Sequence, residues 1–376
     1  MHAEKCFTGA GDRTGITGVK KRILVLRYRF IGDTILTVPF LRNLRSAEPD
    51  AHIAWVVAPG SSEVVKGIPY IDELIYWDPV TIHADSRGTH KTLRDKVRFI
   101  SGLSSQKFDK VYVLKRSFSS ALIAVLSGAR ERIGFDTEGR GFLLTKRVPY
   151  RHDQHEVQNF LDVLRADGVA VTDDHLELWT TPEEEAAAAK LLADAGIPAS
   201  KDLVALHPFA SNPHRGWPFE NFAALAASLQ AEGFVTLVLG APGDRTAFEA
   251  VRDLFGQHTI DLVGSCKLRV TMALLKRCAL FVGNDSGIMH LAAAANIPMV
   301  ALFGPQSPLK FGPWSAQAKV IYRDFPCSPC KQKFFTECEP TPRMRPACVE
   351  AITVDDVFHE IMQLVNKHKE GGHEQK

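Results

Sequence analysis

The stretch Val282-Gly-Asn-Asp-Ser-Gly-Ile-Met-His290 brings together residue types that suit a bound diphosphate. It follows the apolar run Ala279-Leu-Phe-Val282, and the apolar segment Leu291 to Pro305 comes after it, so it reads as strand, tight turn, helix, loop, strand. Asp285 or Ser286 can N-cap the helix, and Gly287 leaves space over its first turn. His290 lies four residues after Ser286, so both project from one face of the helix start. Free N–H groups and the positive end of the helix dipole attract an anion. Taken alone, the motif fits an ordinary cap and a half-buried histidine equally well, so the other loops must decide its meaning.

Three further loops occupy equivalent places. Arg27-Tyr-Arg-Phe-Ile-Gly-Asp-Thr34 places Gly32 where a turn can approach a ligand and Asp33 at a helix opening. Asp33 is either an N-cap or a carboxylate able to take a proton from an acceptor hydroxyl. His207 to Pro218 sets Ser211 and Arg215 between a strand and a helix with Pro218 at its first position; a hydroxyl and a forked cation suit a diphosphate. Trp217 in that loop reads as a packing residue. Leu239-Gly-Ala-Pro-Gly-Asp244 offers Asp244 to ribose hydroxyls, a weak signal by itself. Arg29, Lys115 and Arg116, near strand ends of the first half, are candidates to hold acceptor phosphates or carboxylates.

The elements that must position these loops alternate between strand and helix. Strands are expected at Arg22–Arg27, His52–Val57, Glu73–Trp77 and Lys110–Leu114, then at Leu203–Leu206, Val235–Leu239, Ala279–Val282 and Pro298–Phe303. Helices are expected to Ala47, over Pro182–Ala195, from Pro218, over Asp244–Phe255 and Val270–Cys278, and finally over Val354–Asn366, packing back across a cleft. The fold class is α/β, with parallel sheets in two Rossmann-like domains that face one another. The chain divides into an N-terminal arm (1–20), a first domain (21–175), a second domain (182–350) and a C-terminal helix and tail (351–376). The boundary falls in the polar stretch Val171–Thr181. No internal repeat is visible at solenoid periods.

In this order, Ile23–Arg45 with Gly32-Asp33, His207–Leu229 with Arg-Gly-Trp-Pro, and Gly283–Pro305 with Asp285-Ser-Gly-x-x-His290 resemble glycosyltransferase family 9, the ADP-heptose:lipopolysaccharide heptosyltransferases. The likeness runs from about residue 22 to 367. It implies a GT-B fold and an inverting, metal-independent transfer from an ADP-heptose-type donor to the inner core of a lipid-anchored anionic saccharide. By this resemblance Asp33 is the catalytic base. Ser211 and Arg215 match the phosphate-binding Ser/Thr and Lys; Asp285, Ser286, Gly287 and His290 match the nucleotide-sugar turn; Asp244 matches the ribose-binding acid loosely. Phe209 stands where the family usually has Gly, and Arg215 where it has Lys; both bear on donor identity. The rival readings are a nucleotide-sugar epimerase on the same fold and a non-catalytic sugar-binding protein. A dinucleotide oxidoreductase is disfavoured because no G-x-G-x-x-G follows the first strand.

Composition is that of a globular protein, with 45% apolar residues and a formal net charge of +2. The first twenty residues lack the apolar core of a signal peptide, and no apolar run is long enough to span a bilayer. A cytoplasmic protein in peripheral contact with the inner membrane face is expected. From Arg87 to Arg151 fifteen Lys/Arg face five Asp/Glu, which suits an anionic acceptor or lipid surface. Nucleic acid is disfavoured, since that region carries no nucleic-acid motif and no interleaved aromatics. Cys327, Cys330, Cys338 and Cys348, spaced C-x2-C-x7-C-x9-C, are compatible with tetrathiolate zinc, but reduced thiols or a facultative disulfide are favoured, and no cofactor beyond the donor is expected.

Overall fold

The computed structural model of the chain describes residues 20–79, 90–198, 202–336, 338 and 340–371. The expected arm over 1–20 lies outside the described residues except for Lys20. Twelve strands form two six-stranded parallel sheets. The first holds β1 (Arg22–Leu26), β2 (His52–Val57), β3 (Glu73–Tyr76), β4 (Lys110–Val113), β5 (Glu131–Phe135) and β6 (Lys146–Val148). The second holds β7 (Leu203–His207), β8 (Val235–Gly240), β9 (Ile260–Val263), β10 (Leu280–Asn284), β11 (Met299–Phe303) and β12 (Ala318–Tyr322). Their orders, β3-β2-β1-β4-β5-β6 and β12-β11-β10-β7-β8-β9, are one topology used twice, each half being a doubly wound dinucleotide-type sheet.

In the first half the helices are α1 (Ile31–Leu36), α2 (Val38–Ala47), α3 (Pro59–Ser62), α4 (Leu93–Ser105), α5 (Phe118–Leu126) and α6 (Glu156–Ala166). The remainder are α7 (Pro182–Asp194), α8 (Phe219–Ala231), α9 (Arg245–Glu249), α10 (Leu268–Leu275), α11 (Gly287–Ala294), α12 (Pro308–Phe311), α13 (Ala347–Glu350) and α14 (Val354–Gly371). Central strands such as Ile23–Leu26 and Val204–His207 are buried on both faces, which is why they read as unbroken apolar runs. On the first sheet, α1, α2 and α6 cover one face, while α4 and α5 cover the other through Phe99, Leu103, Ala121, Ile123 and Ala124.

Four strands escape sequence reading. β5 and β6 carry charges, with Glu131 and Arg132 in one and Lys146 and Arg147 in the other, while β9 and β12 lie at sheet edges and carry Asp261 and Lys319. The helix expected over Asp244–Phe255 is broken, because the backbone leaves helical geometry at Val251 (φ −126°, ψ 0°) and Phe255 turns into the core. Pro218 is the N-cap of α8, not its first residue. The last helix does not cross the cleft; Val357, Ile361 and Leu364 pack it onto α8, β11 and β12 of its own half. The stretch around Val171–Thr181 is docked rather than loose: Asn43 of α2 accepts from Thr172 N at 2.9 Å and donates to the Asp173 carbonyl at 2.6 Å.

Candidate active site

The carboxyl ends of the two sheets meet where the turn after β1 abuts the turn after β10. Arg29 (φ 80°) and Phe30 (φ 57°) are consecutive non-glycine residues in left-handed geometry. Strain of this kind costs about 1–3 kcal/mol per residue and collects at functional sites. Thr34 holds the turn, donating to the Phe30 carbonyl from both N (3.1 Å) and Oγ1 (3.0 Å). Asp33 then sits in the first turn of α1 with its side chain 16% exposed, neither sealed in nor free, and caps nothing. Its Oδ1 is 2.6 Å from Nη2 of buried Arg27, a partner not anticipated from sequence although it stands at the end of β1. The Arg27 guanidinium is itself seated 5.2 Å from the Phe160 ring centroid.

Across the gap, Ser286 N-caps α11 by accepting from Met289 N at 3.3 Å, which settles the capping alternative in its favour. Asp285 is buried, its Oδ2 lacks a hydrogen-bond partner, and the Arg215 Nη1 is 3.6 Å away. Burial pushes the Asp285 carboxyl up to about 6; Arg215 opposes the rise and the charge of Asp33 adds to it. Two carboxylates from different halves therefore feel one another across the cleft. Arg215 is aimed by two bonds from Nε (2.8 Å) and Nη2 (2.6 Å) to Gln332 Oε1, and no sequence signal pointed to Gln332. Asn284 joins the two loops, accepting from Trp217 N at 3.0 Å and donating to the Pro208 carbonyl at 2.9 Å. Trp217 is buried, with its indole N–H on the Ile352 carbonyl, as its packing role requires.

Two glycines let the halves touch. A Cβ on Gly32 would lie 2.5 Å from Cδ2 of His290. The space over Gly287, expected to be open, is instead taken by Ile31, 3.0 Å from where a Cβ would stand. His290 is buried against Gly32, and burial pulls its imidazole down to about 3, so it is neutral at physiological pH. Ser211 is exposed at the lip of its loop. Asp244 closes its own turn by accepting from Ala241 N at 2.7 Å. Phe209 does not enter the phosphate loop; its ring is buried beneath it and fills the space that the absent side chain of Gly240 leaves, with Cε2 2.6 Å from where a Cβ would stand.

The basic residues converge on the first half's side of the cleft. Lys115 Nζ lies 4.9 Å over the Tyr28 ring, and its ammonium is pulled down to about 8, first by burial and then by Arg27 and Arg29. Arg29 Nε is buried without a partner. Arg116 and Lys310 stand over the same Tyr150 ring, each 4.4 Å from its centroid, while the Tyr150 hydroxyl donates to Glu156 at 2.7 Å. Lys310 comes from α12 of the second half and went unnoticed in the sequence, although it too follows a strand end. His155 pins the halves further: Nδ1 accepts from Val157 N, Nε2 donates to the Gly312 carbonyl at 3.0 Å, and the ring stacks on Trp314. Burial pulls His155 down to about 4, in keeping with the neutral form.

Cys348 is buried, and its thiol is pushed up to about 11, first by burial and then by neighbouring Cys327, Cys330 and Cys338. Cys327, Cys338 and Cys348 are free thiols, and among the described residues no three His, Cys, Asp or Glu are arranged to hold a metal ion. Among those residues, too, no helix is long and apolar enough to cross a membrane.

Two doubly wound halves face one another across a cleft, with a carboxylate on one side and an arginine on the other, which is the GT-B architecture. Residues 96–338 match the model of glycosyltransferase family 9 (heptosyltransferase), and the chain belongs to that family. It is 28% identical over 311 residues to lipopolysaccharide heptosyltransferase 2 of Escherichia coli (strain K12), covering 80% of this chain and 87% of the relative. A family 9 glycosyltransferase from Veillonella parvula superposes with a TM-score of 0.82 at 26% identity, covering 92% of this chain and 98% of that one. The E. coli ADP-heptose lipopolysaccharide heptosyltransferase II shares the fold, with a TM-score of 0.73 at 23% identity over 93% and 99% of the two chains. The chain is thus an enzyme of the glycosyltransferase class, and the epimerase and binding-protein readings find no support.

Proposed function

We propose that this enzyme transfers a heptose from an ADP-heptose-type donor to the inner core of a lipid-anchored, anionic saccharide, at the cytosolic face of the inner membrane, with inversion at the anomeric carbon. The reading is supported by family membership, by relatives named as lipopolysaccharide heptosyltransferases, and by one geometric observation above all: the Gly32-Asp33 turn is seated against the Ser286–His290 turn of the other half. The acceptor hydroxyl lies beside Asp33, whose carboxylate takes its proton as the oxygen attacks. Arg27 fixes that carboxylate's orientation. The sugar is attacked from the face opposite the leaving nucleotide. Arg215, already ordered by Gln332, exchanges its neighbour Asp285 for the diphosphate, and Ser211, the Ser286-Gly287 turn and His290 supply neutral donors. Asp244 turns its remaining acceptor capacity to the ribose. Arg29, Lys115 and Arg116 hold the acceptor's carboxylates or phosphates. Fixed donors and a guanidinium meet the developing charge, so the transfer proceeds without a bound cation.

The test is Asp33→Asn, assayed by nucleotide release with saturating donor and acceptor. Turnover should fall about 10²–10⁴-fold with the donor KM unchanged, the usual worth of a positioned base. Turnover within threefold of the parent would remove Asp33 from this role.

A further inference from the structure

Half of the twelve large apolar side chains exposed among the described residues fall between residues 93 and 142: Leu93 (77%), Val97 (59%), Phe118, Leu122, Leu126 and Phe142 (67%). They form one surface. α4 and α5 pack side by side on the same face of the first sheet, with Gly128, just past α5, against the Ser104 side chain of α4. On α5, Phe118, Leu122 and Leu126 recur every four residues and make a solvent-facing row on a helix without a single charge. Phe142, from the turn after β5, meets Phe118 with ring centroids 6.3 Å apart. On α4, Leu93 and Val97 run beside Arg94 and Arg98, opposite the buried Phe99 and Leu103. Neither of those arginines is ion-paired among the described residues, and the one acid of α4, Asp95, is occupied capping its own helix with Thr92.

An apolar row flanked by cations that make no ion pair among the described residues is the pattern of a surface that lies in a lipid interface. The local charge has the matching sign, since Lys and Arg outnumber Asp and Glu threefold from Arg87 to Arg151. The surface is also continuous with the acceptor side of the cleft. Phe118 is two residues from Arg116, and buried Arg140, two residues before Phe142, holds the Lys115 and Ser117 carbonyls at 2.5 and 2.7 Å.

We propose that the α4–α5 face together with Phe142 is the surface by which this protein docks on an anionic lipid bilayer. The apolar row enters the headgroup layer, Arg94 and Arg98 pair with lipid phosphates, and the Lys115–Arg116 loop is brought to the height at which a lipid-anchored sugar leaves the membrane. This rests on the reading above that the acceptor is lipid-anchored.

The experiment compares the full chain with a Phe118→Ser/Leu122→Ser/Phe142→Ser variant by co-sedimentation with phosphatidylcholine vesicles, with and without 30% phosphatidylglycerol. The parent should bind the anionic vesicles at least tenfold better than neutral ones. The variant should lose at least tenfold on anionic vesicles, with its melting temperature and its turnover of an acyl-free, water-soluble acceptor close to the parent's, the turnover within twofold. Equal vesicle binding by parent and variant, or none by the parent, overturns the proposal. So does a parent dimer in light scattering that the variant dissolves, which would make the face an interface between copies. Absence of turnover on both acceptor forms by the parent would defeat the functional reading while leaving the vesicle result to stand.

Discussion

Replacing Asp285 with Asn probes whether the buried carboxylate is held in the unfavourable setting that its geometry describes. The native state moves this carboxyl from its ordinary 3.8 to about 6, chiefly by burial. Between those two values the folded chain keeps a proton that the unfolded chain has released, so raising the pH through that window costs stability. The full cost is about 3 kcal/mol once both states are ionised. Asparagine has nearly the same shape and never ionises, so Asp285→Asn should match the parent at pH 3.5 and exceed it by about 3 kcal/mol at pH 7.5. For a chain of this length, with an unfolding entropy of about 0.8 kcal/mol/K, that is about 4 °C in Tm. His290 and His155 work in the opposite direction, because burial denies them protons that the unfolded chain takes up below its ordinary histidine pKa. They are common to both proteins and cancel in the difference. The assay is thermal unfolding of parent and variant in parallel from pH 3.5 to 7.5, without nucleotide. A difference that stays flat, or that grows toward acid, would mean that Asp285 ionises freely and that Arg215 is not withheld from a better partner.

Two further substitutions test residues that line the gap between the halves. Lys310→Met removes the cation that the second half lays on the Tyr150 ring, and should raise the acceptor KM about tenfold with the donor KM within twofold; equal shifts in both constants would mark Lys310 as structural. Gly32→Ala drives a methyl into His290 and should cost about 1–3 kcal/mol, read as a drop in Tm, which His290→Ala in the same chain should relieve; an additive double variant would place the strain elsewhere.

The loops were legible because the fold obliges them to be. Parallel strands buried on both faces announce themselves as apolar runs, and whatever follows such a run lies at the edge where ligands bind. Asp33, Arg215 and the Asp285–His290 turn each follow one, as do Lys115 and Arg116 after β4. Gln332 could not be seen this way: it lies in the cysteine-bearing loop, a long way in sequence from the Arg215 it orients. Arg27 belongs to the strand's own end, where a charge reads as the end of the apolar run. Edge strands such as β6, three residues long and two of them charged, carry no apolar signature because most of their side chains stay exposed.

The repeated topology explains why the site is divided as it is. In each half the strand order reverses between the first strand and the fourth, so the crevice opens between β1 and β4 in one sheet and between β7 and β10 in the other. The candidate base and the Lys115–Arg116 pair flank the first reversal; Arg215 and the Asp285–His290 turn flank the second. Neither crevice holds both the candidate base Asp33 and the guanidinium of Arg215. On the function proposed above, turnover depends on the seam where Ile31 and Gly32 press on Gly287 and His290, and on the His155–Gly312 contact that holds the halves at that spacing. Enlarging any residue in that seam should reduce turnover more than it reduces the affinity of either half for its own substrate. That ordering of effects separates a divided site from two independent ones.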